Sequence, residues 1–564
     1  MRQGLFQKIY DTVTGRPKYL FAVLWCAVAL LTLPAWRAGF NGDFEGLLDY
    51  YSKYRFWDFL NSKDFNVKSY YQVTHLQLFL WISLFWTKGL PWFLLLTGLH
   101  ALNSTLIFSF CQKLFRDFRV KAATAIALGG ALLFALNPNV TEITIWKGGY
   151  HYLPGVLAQL LILGWTRSLM LTGQRKYAVY TAILFFFSTF TLEIFYLTPW
   201  FCLILILAYY WKNSIDKAGF GKALKFIFLP QLGLFLFHLL IFRLRFGSWV
   251  AHYGPTGDFF FTAKDFLPKM LKYLVTLLGF TSHMPYETAH PVYTFLDKPF
   301  VYYSAYSMAL VLAAIVLIRF KKLSPRLQAA TVLFGMMMLC IIIISPMYFD
   351  DTMQLYNSRR CYELSFPLYM LLSIGIFSLL PATKLPRVLL TVYLCSCTLL
   401  AVGKAYQWRR ADHMQRTVLR QYKWQNTPHV LILNLPCYYR DIRIIATSKW
   451  DEFQENLNVF GFDSSRHKIQ YVSSYNMNSL WDGAHVTMLD SATLKVTLNQ
   501  WGSWWMYNLN GATDVETEDY RLEMKDVGHE YLLHLKKPAS YFTILYQQAD
   551  QWKVVDPAKR EEQW

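Results

Sequence analysis

Long apolar runs alternate with short polar ones up to about residue 403, and beyond it apolar and polar residues alternate within short runs. Apolar runs of roughly 17 to 25 residues predict membrane-spanning helices. Eleven are present, near 19–36, 91–112, 122–137, 152–170, 177–192, 194–211, 224–242, 302–318, 328–346, 362–380 and 386–403. The first follows Arg2, Lys8, Arg16 and Lys18 and ends in Pro34, Trp36 and Arg37. A cleaved signal would have a shorter apolar core and a small-residue cleavage site, so this run reads as a retained helix with a cytoplasmic N-terminus. Alternate connections then fall in the cytoplasm: "KLFRDFRVK" (113–121), "RSLMLTGQRK" (167–176), "WKNSIDKAGFGKALK" (211–225), "RFKKLSPR" (319–326) and "PATKLPR" (381–387). All are rich in Lys or Arg, as the positive-inside rule requires.

Two further apolar stretches, 73–90 and 266–280, would invert every later loop if either crossed alone. Their Trp81, Trp86, Lys269 and Lys272 suit helices lying at the outer interface, the alternative being that both cross, which preserves parity outside the segment between them. From residue 404 the runs "HVLILNL", "RHKIQYVSS", "AHVTMLD", "LKVTLNQW", "YLLHLKK" and "YFTILYQQ" predict strands. An odd number of spans puts this second domain, 404–564, outside the cytoplasm.

Composition agrees with a membrane protein. The 564 residues are 54% hydrophobic and 16% charged, against about 25% charged in soluble domains. The net charge of +19 is largely accounted for by the basic cytoplasmic loops, which leaves no case for a nucleic-acid partner. Seven of eight cysteines lie in or beside apolar runs and Cys437 stands alone in the second domain, so no disulfide framework is expected there. No Cys/His spacing suggests zinc.

On this topology the acids near helix ends gather on the outer side. Asp43 and Glu45 follow the first helix, and Glu142 stands in "NPNVTEITIWKGGYHYLPG" with Lys147 and His151. Glu193 occupies a tight turn, and "MYFDDTMQLYNSRRCYELSFP" brings Asp350, Asp351, Arg359 and Arg360. The span interiors carry almost no charge, His238 being a mild exception. Ionisable groups near lipid are expensive and mark function or a partner.

This order resembles the polytopic GT-C glycosyltransferases, which use polyprenyl-phosphate-linked sugars. The resemblance covers about residues 1–403. It rests on the acids of a long first outer loop (37–90) with interfacial helices, and on "NPNVTEITIW", similar to a Pro-x-x-x-Glu-x-x-x-Trp segment of the family. The Leu-Glu turn at Glu193 and "SRRCYELSFPLYMLL", similar to an Arg-Tyr-x-x-x-x-Pro helix start, complete it. Two features depart from the pattern: Phe44 separates Asp43 from Glu45, and Lys147 and His151 are basic where less basic residues are usual. The sugar and the acceptor therefore stay open.

The resemblance implies a GT-C-like polytopic α-helical membrane bundle with an extracytoplasmic C-terminal α/β or mostly β domain. It further implies an inverting glycosyltransferase of the inner (cell) membrane, acting in the bilayer on a polyprenyl-phosphate sugar donor and a glycan, lipid or protein acceptor. Asp43 and Glu45 would be catalytic; Glu142, Lys147, His151, Glu193, Arg359 and Arg360 would bind substrate. The chemistry suits these residue types. Transfer to a hydroxyl needs a base for its proton, and a carboxylate at a membrane boundary has its pKa raised towards a useful range. The departing phosphate needs cations, and the planar fork of Arg makes two parallel bonds to it. Trp146 and Tyr150 could stack on a sugar face, while Asp350 and Asp351 could pair with the two arginines. No cofactor or metal-ligand set is implied, although a divalent cation would fit if Asp43 and Glu142 converge. The rivals are an oligosaccharide ligase or polymerase with a diphosphate-linked donor, a lipid or solute transporter or flippase, and a membrane scaffold.

Overall fold

Apolar runs fold as helices and alternating runs as strands in a computed structural model of the chain. It describes residues 12–41, 43–63, 65, 72–247, 263–284, 286–344, 358–379, 384–421, 428–445, 457, 459, 468–477, 481–498, 504–505, 514–526, 529–548 and 551–555. In chain order the helices are α1 (Pro17–Thr32), α2 (Asp43–Ser52), α3 (Phe56–Asn61), α4 (Gln72–Phe85), α5 (Gly89–Asp117) and α6 (Ala123–Ala135). Then come α7 (Thr141–Ile145), α8 (Tyr152–Thr172), α9 (Lys176–Thr189), α10 (Thr198–Trp211), α11 (Lys217–Ala223) and α12 (Leu229–Phe246). The rest are α13 (Ala263–Gly279), α14 (Tyr286–Leu296), α15 (Pro299–Ile318), α16 (Pro325–Ile344), α17 (Tyr362–Leu379) and α18 (Leu385–Gln421).

A helix stands at each of the eleven expected places. Among the described residues, nine helical segments are long and apolar enough to cross a membrane, which fits a multi-pass membrane protein. The other two, α6 and α9, have 13 and 14 residues. At about 1.5 Å per residue they reach about 20 Å, short of the roughly 30 Å of a hydrocarbon core. The described residues thus hold nine candidate spans where eleven are expected, α10 reaching 18 residues together with the 3-10 turn before it (194–211). The two stretches expected at the interface form α4 and α13, and neither is among the nine.

Two compact units result: residues 1–36 with 60–405, and residues 37–59 with 406–564. In the first, α5 packs on α1, α6 and α8, and α17 packs on α6 and α16. Lipid offers helices no hydrophobic drive to associate, so small residues at close approaches matter. A Cβ on Gly130 of α6 would lie 3.1 Å from the Cα of Met370 in α17, so only glycine fits there without a backbone shift. The span at 299–318 is only 6% buried and offers its apolar surface to lipid, whereas that at 358–378 is 67% buried and belongs to the core. Asp117, the last residue of α5, takes two bonds from Arg167, at 2.5 and 2.8 Å, and one from the Tyr209 hydroxyl, tying the ends of α5, α8 and α10.

In the second unit, all six expected strand segments are strands. The strands are β1 (His429–Tyr439), β2 (Ile442–Arg443), β3 (Lys468–Met477), β4 (Ala484–Met488), β5 (Thr493–Leu498) and β6 (Trp504–Trp505). They continue with β7 (Val515–Glu516), β8 (Tyr520–Asp526), β9 (Glu530–Leu535), β10 (Thr543–Gln548) and β11 (Gln551–Val554). One sheet has the order β11-β10-β1-β3-β6 with β2 beside β1, and the other β4-β5-β9-β8-β7. β1 pairs in parallel with both β10 and β3 and is buried almost throughout, as a central parallel strand must be. β5 and β9 are buried at alternate residues, with antiparallel partners and one covered face. Tyr531 of β9 donates its hydroxyl to the Leu433 carbonyl of β1 at 2.8 Å, joining the sheets. Asp519, ahead of β8, joins them again: it accepts from Lys468 and Gln470 of β3 and from Lys537.

Candidate functional site

Glu142 lies on α7, a five-residue helix set by the turn before it. Asn137 caps that turn by accepting from the Asn139 N–H at 2.9 Å, and Pro138 supplies the fixed φ a helix start needs. Asn137 also donates to Ser365 of α17 at 3.3 Å, while the hydroxyls of Thr141 and Thr144 donate to carbonyls three residues back. Residues 141–150 are all buried. This polar stretch is part of the core.

Ser358–Cys361 forms a 3-10 turn that leads into α17. Glu142 accepts from the Arg359 guanidinium at 2.5 Å through Oε1, and from the Arg359 N–H at 2.8 Å and the Ser358 hydroxyl at 3.1 Å through Oε2. The carboxylate thus faces the N-terminal end of a helix, where the dipole favours an anion. The Arg359 guanidinium also lies 4.7 Å from the Trp146 ring centre, a cation–π distance. Trp146 lies against Gly148, where a Cβ would come 2.4 Å from the indole. Arg360 is buried next to this pair.

Lys147 is buried and donates to the Ile145 carbonyl at 2.9 Å. His151 is half-buried, its ring 4.7 Å from that of Tyr152. Glu193 opens the 3-10 segment Glu193–Leu197. This turn is anchored by Thr74 of α4, which donates to the Thr191 carbonyl at 3.0 Å, and by Thr198, which donates to the Phe195 carbonyl at 2.8 Å. The side chains of Asp43 and Glu193, and all of Asp350 and Asp351, lie outside the described residues.

The structure therefore brings Glu142, Arg359 and Trp146 together in the first unit, with Lys147 and Arg360 buried next to them in sequence. Asp43 and Glu45 belong to the second. There Glu45 is wholly buried on α2 and accepts from the Gln415 side chain of α18. Burial pushes its carboxyl well above the ordinary 4.5, and Asp412 pushes the same way; Arg443, the Gln415 bond and Arg416 pull against them.

Sequence reasoning passed over Glu363. It lies inside the run at 362–380, is 1% exposed, and accepts from Gln159 of α8 at 2.5 Å. Its other oxygen has no hydrogen-bond partner among the described residues. The near-absence of charge expected within the spans is corrected by this residue. The signal was available: an acid and a glutamine inside two otherwise apolar runs are each expensive in lipid. The same holds for His100 and Asn103, which both bond to the Tyr362 hydroxyl. His100 also borders a cavity of about 10 Å³ lined in part by Thr32, Asn137, Thr141 and Thr144, which is room for about one water. Among the described residues, no group of three or more His, Cys, Asp or Glu could hold a metal ion.

No protein-family model matches the chain, and no curated protein matches it. Among solved structures, it is similar to the apo crystal structure of an oligosaccharyltransferase from Archaeoglobus fulgidus, at 11% identity and a TM-score of 0.38. That similarity covers 80% of this chain and 64% of the archaeal one.

Proposed function

We propose that this chain is an integral membrane glycosyltransferase that moves a sugar from a polyprenyl-phosphate-linked donor to an acceptor hydroxyl outside the cytoplasm. The observation that carries the reading is the Glu142–Arg359–Trp146 cluster, built at helix ends within a membrane-helical unit. Its ingredients match the chemistry. A guanidinium suits a phosphate, an indole offers a face to a sugar ring, and a carboxylate keeps the guanidinium in place. Arg359 and Arg360 are assigned to the donor phosphate, and Glu142 orients Arg359. Lys147 and His151 flank the cluster, and Glu193 contributes a further acid. Asp43 is assigned as the base that takes the acceptor proton, with Glu45 as the acid that positions it. The second unit is assigned to the acceptor.

The test uses the purified full chain in lipid nanodiscs with a pool of polyprenyl-phosphate sugars. Transfer and donor binding are measured separately. Asp43→Asn keeps shape and polarity but removes proton acceptance, so turnover should fall by about 100- to 10,000-fold while donor binding persists. Near-normal turnover in that variant would remove the base assignment. Failure of every such donor to bind would remove the glycosyltransferase reading itself.

A further inference from the structure

Helix α2 begins at Asp43 and buries Phe44, Glu45, Leu48 and Tyr51, a single stripe at helical spacing. Three members of that stripe have apolar bodies. Glu45 is the exception, and it is as buried as its neighbours. It faces Gln415 of α18, which is wholly buried too, and its Oε1 accepts from the Gln415 amide nitrogen.

Two atoms are then left over. Oε2 of Glu45 and Oε1 of Gln415 are both buried and have no hydrogen-bond partner among the described residues. Both are acceptors while Glu45 is ionised, and leaving a buried acceptor unmade is costly. A single proton changes that. A carboxylic acid and a primary amide are complementary: the amide N–H donates to one carboxyl oxygen, and the acid O–H donates to the amide oxygen. The bond already present is the first half of that ring, and the two unsatisfied atoms are the second.

Burial favours the proton most, and one charged neighbour adds to it. Asp412, three residues before Gln415 on α18, is held by Arg416 at 2.8 Å and adds negative charge near Glu45. Arg416 and Arg443 of β2 act in the opposite sense, but burial is the largest effect. Segment 37–59 has further ties within this unit: Arg416 donates to the Arg37 carbonyl, and Asn41 donates to the Arg443 carbonyl.

We propose that Glu45 and Gln415 are the positioning pair of the Asp43 helix: Glu45 carries a proton on Oε2 and donates it to Gln415 Oε1, closing a two-bond acid–amide ring that fixes α2 on α18. The proton comes from water, and ionising Glu45 returns it, breaking one bond and placing a charge beside Asp412. The pair matters to transfer through the reading of Asp43 as base, on which that part of the proposal rests.

The test is hydrogen exchange of the amides of residues 44–52 in the full chain across a pH series, corrected for intrinsic rates. In the native chain, protection should fall as pH rises above 4.5 and through the raised value of Glu45, by at least about tenfold for one buried bond lost. Glu45→Gln replaces the acid by an amide, which forms the same ring without titrating. It should keep protection and lose the pH dependence. Glu45→Ala and Gln415→Leu should lose protection at every pH. An infrared difference spectrum supplies a second measurement: a protonated-carboxyl carbonyl band in the native chain at neutral pH, absent in Glu45→Gln. Equal pH dependence in the native chain and Glu45→Gln, or absence of that band, overturns the proposal. Neither readout needs transfer activity, so a failed donor assay would leave the pair standing.

Discussion

Glu142 holds Arg359 twice, by its guanidinium and by its backbone N–H, across 217 residues of sequence. One acid therefore sets both the direction of the arginine side chain and the start of the turn that carries it. The side chains are only 9% and 19% exposed, so the pair is not a surface ornament.

Removing one partner of a buried pair leaves an uncompensated charge, and Glu142→Gln should cost about 3–5 kcal/mol. Arg359→Lys keeps the charge but loses the planar fork and the stacking on Trp146, so a smaller loss is expected. Thermal unfolding of the purified variants measures both. A Glu142→Gln protein as stable as the native one would show that the pair contributes nothing to the fold.

Gly155 should tolerate no side chain. A Cβ there would lie 1.9 Å from the ring of Phe195, which is itself wholly buried in the turn that Glu193 opens. Gly155→Ala should therefore displace that turn and cost about 1–3 kcal/mol. Adding Phe195→Leu should recover part of the loss. Additive losses in the double variant would mean the two residues do not press on one another.

Asp519 makes the second unit sensitive to acid. Burial pushes its carboxyl up, but bonds from Lys537, Lys468 and Gln470 outweigh this and bring it down to about 2 from the ordinary 3.8. A depressed carboxyl stabilises the fold above its unfolded value and loses that effect as pH falls through its folded one. The junction between the sheets should weaken as pH drops from 3.8 to about 2, by on the order of 1–2 kcal/mol. Cys437, buried in β1, reports it: a pyridyl disulfide, which reacts at acid pH, should label this thiol faster over that window. Asp519→Asn should label faster already at neutral pH and show little further rise. An acid response unchanged in that variant would assign it to other groups.

Which of these features could be read from sequence follows from their range. The long helices were legible because an apolar run of that length has few other solutions, and β1, β3, β4, β5, β9 and β10 because short apolar runs bounded by Gly, Asn and Asp mark strands. The shortness of α6 was not legible, since Leu136 continues an apolar run whose end is set by the Asn137 cap of the next turn. Glu142 and Arg359 could each be picked out by type and by expected side. That they bond to each other rests on packing between segments 217 residues apart, which no local pattern carries. Glu45 drew attention as an acid close to a helix exit. Its partner Gln415 is an ordinary glutamine in a polar helix and gave no signal at all.

A chain of hydrogen bonds through His100 and Tyr362 runs in one direction. His100 Nε2 lies 3.1 Å from the Ala135 carbonyl, which can only accept, so this nitrogen bears the hydrogen. Nδ1 then accepts from the Tyr362 hydroxyl at 2.8 Å, and the same hydroxyl accepts from Asn103 at 3.1 Å. Asn103 also donates to the Leu153 carbonyl at 3.0 Å. Four helical segments meet through one phenol: α5, the end of α6, the start of α8 and the start of α17, one residue after the Ser358–Cys361 turn. Tyr362→Phe removes the phenol oxygen and leaves Nδ1 of His100 and one Asn103 hydrogen without their partner. Each unmade buried bond costs about 1–3 kcal/mol, so the variant should unfold well below the native chain. Tyr362→Phe combined with His100→Leu removes both ends of one bond, and the pair should lose less than the sum of the single losses. The ring nitrogens give an independent check, because nitrogen NMR of His100 should report the Nε2–H tautomer in the native chain. An Nδ1–H tautomer would reverse the direction of the bonds, and strictly additive losses would separate the two residues energetically.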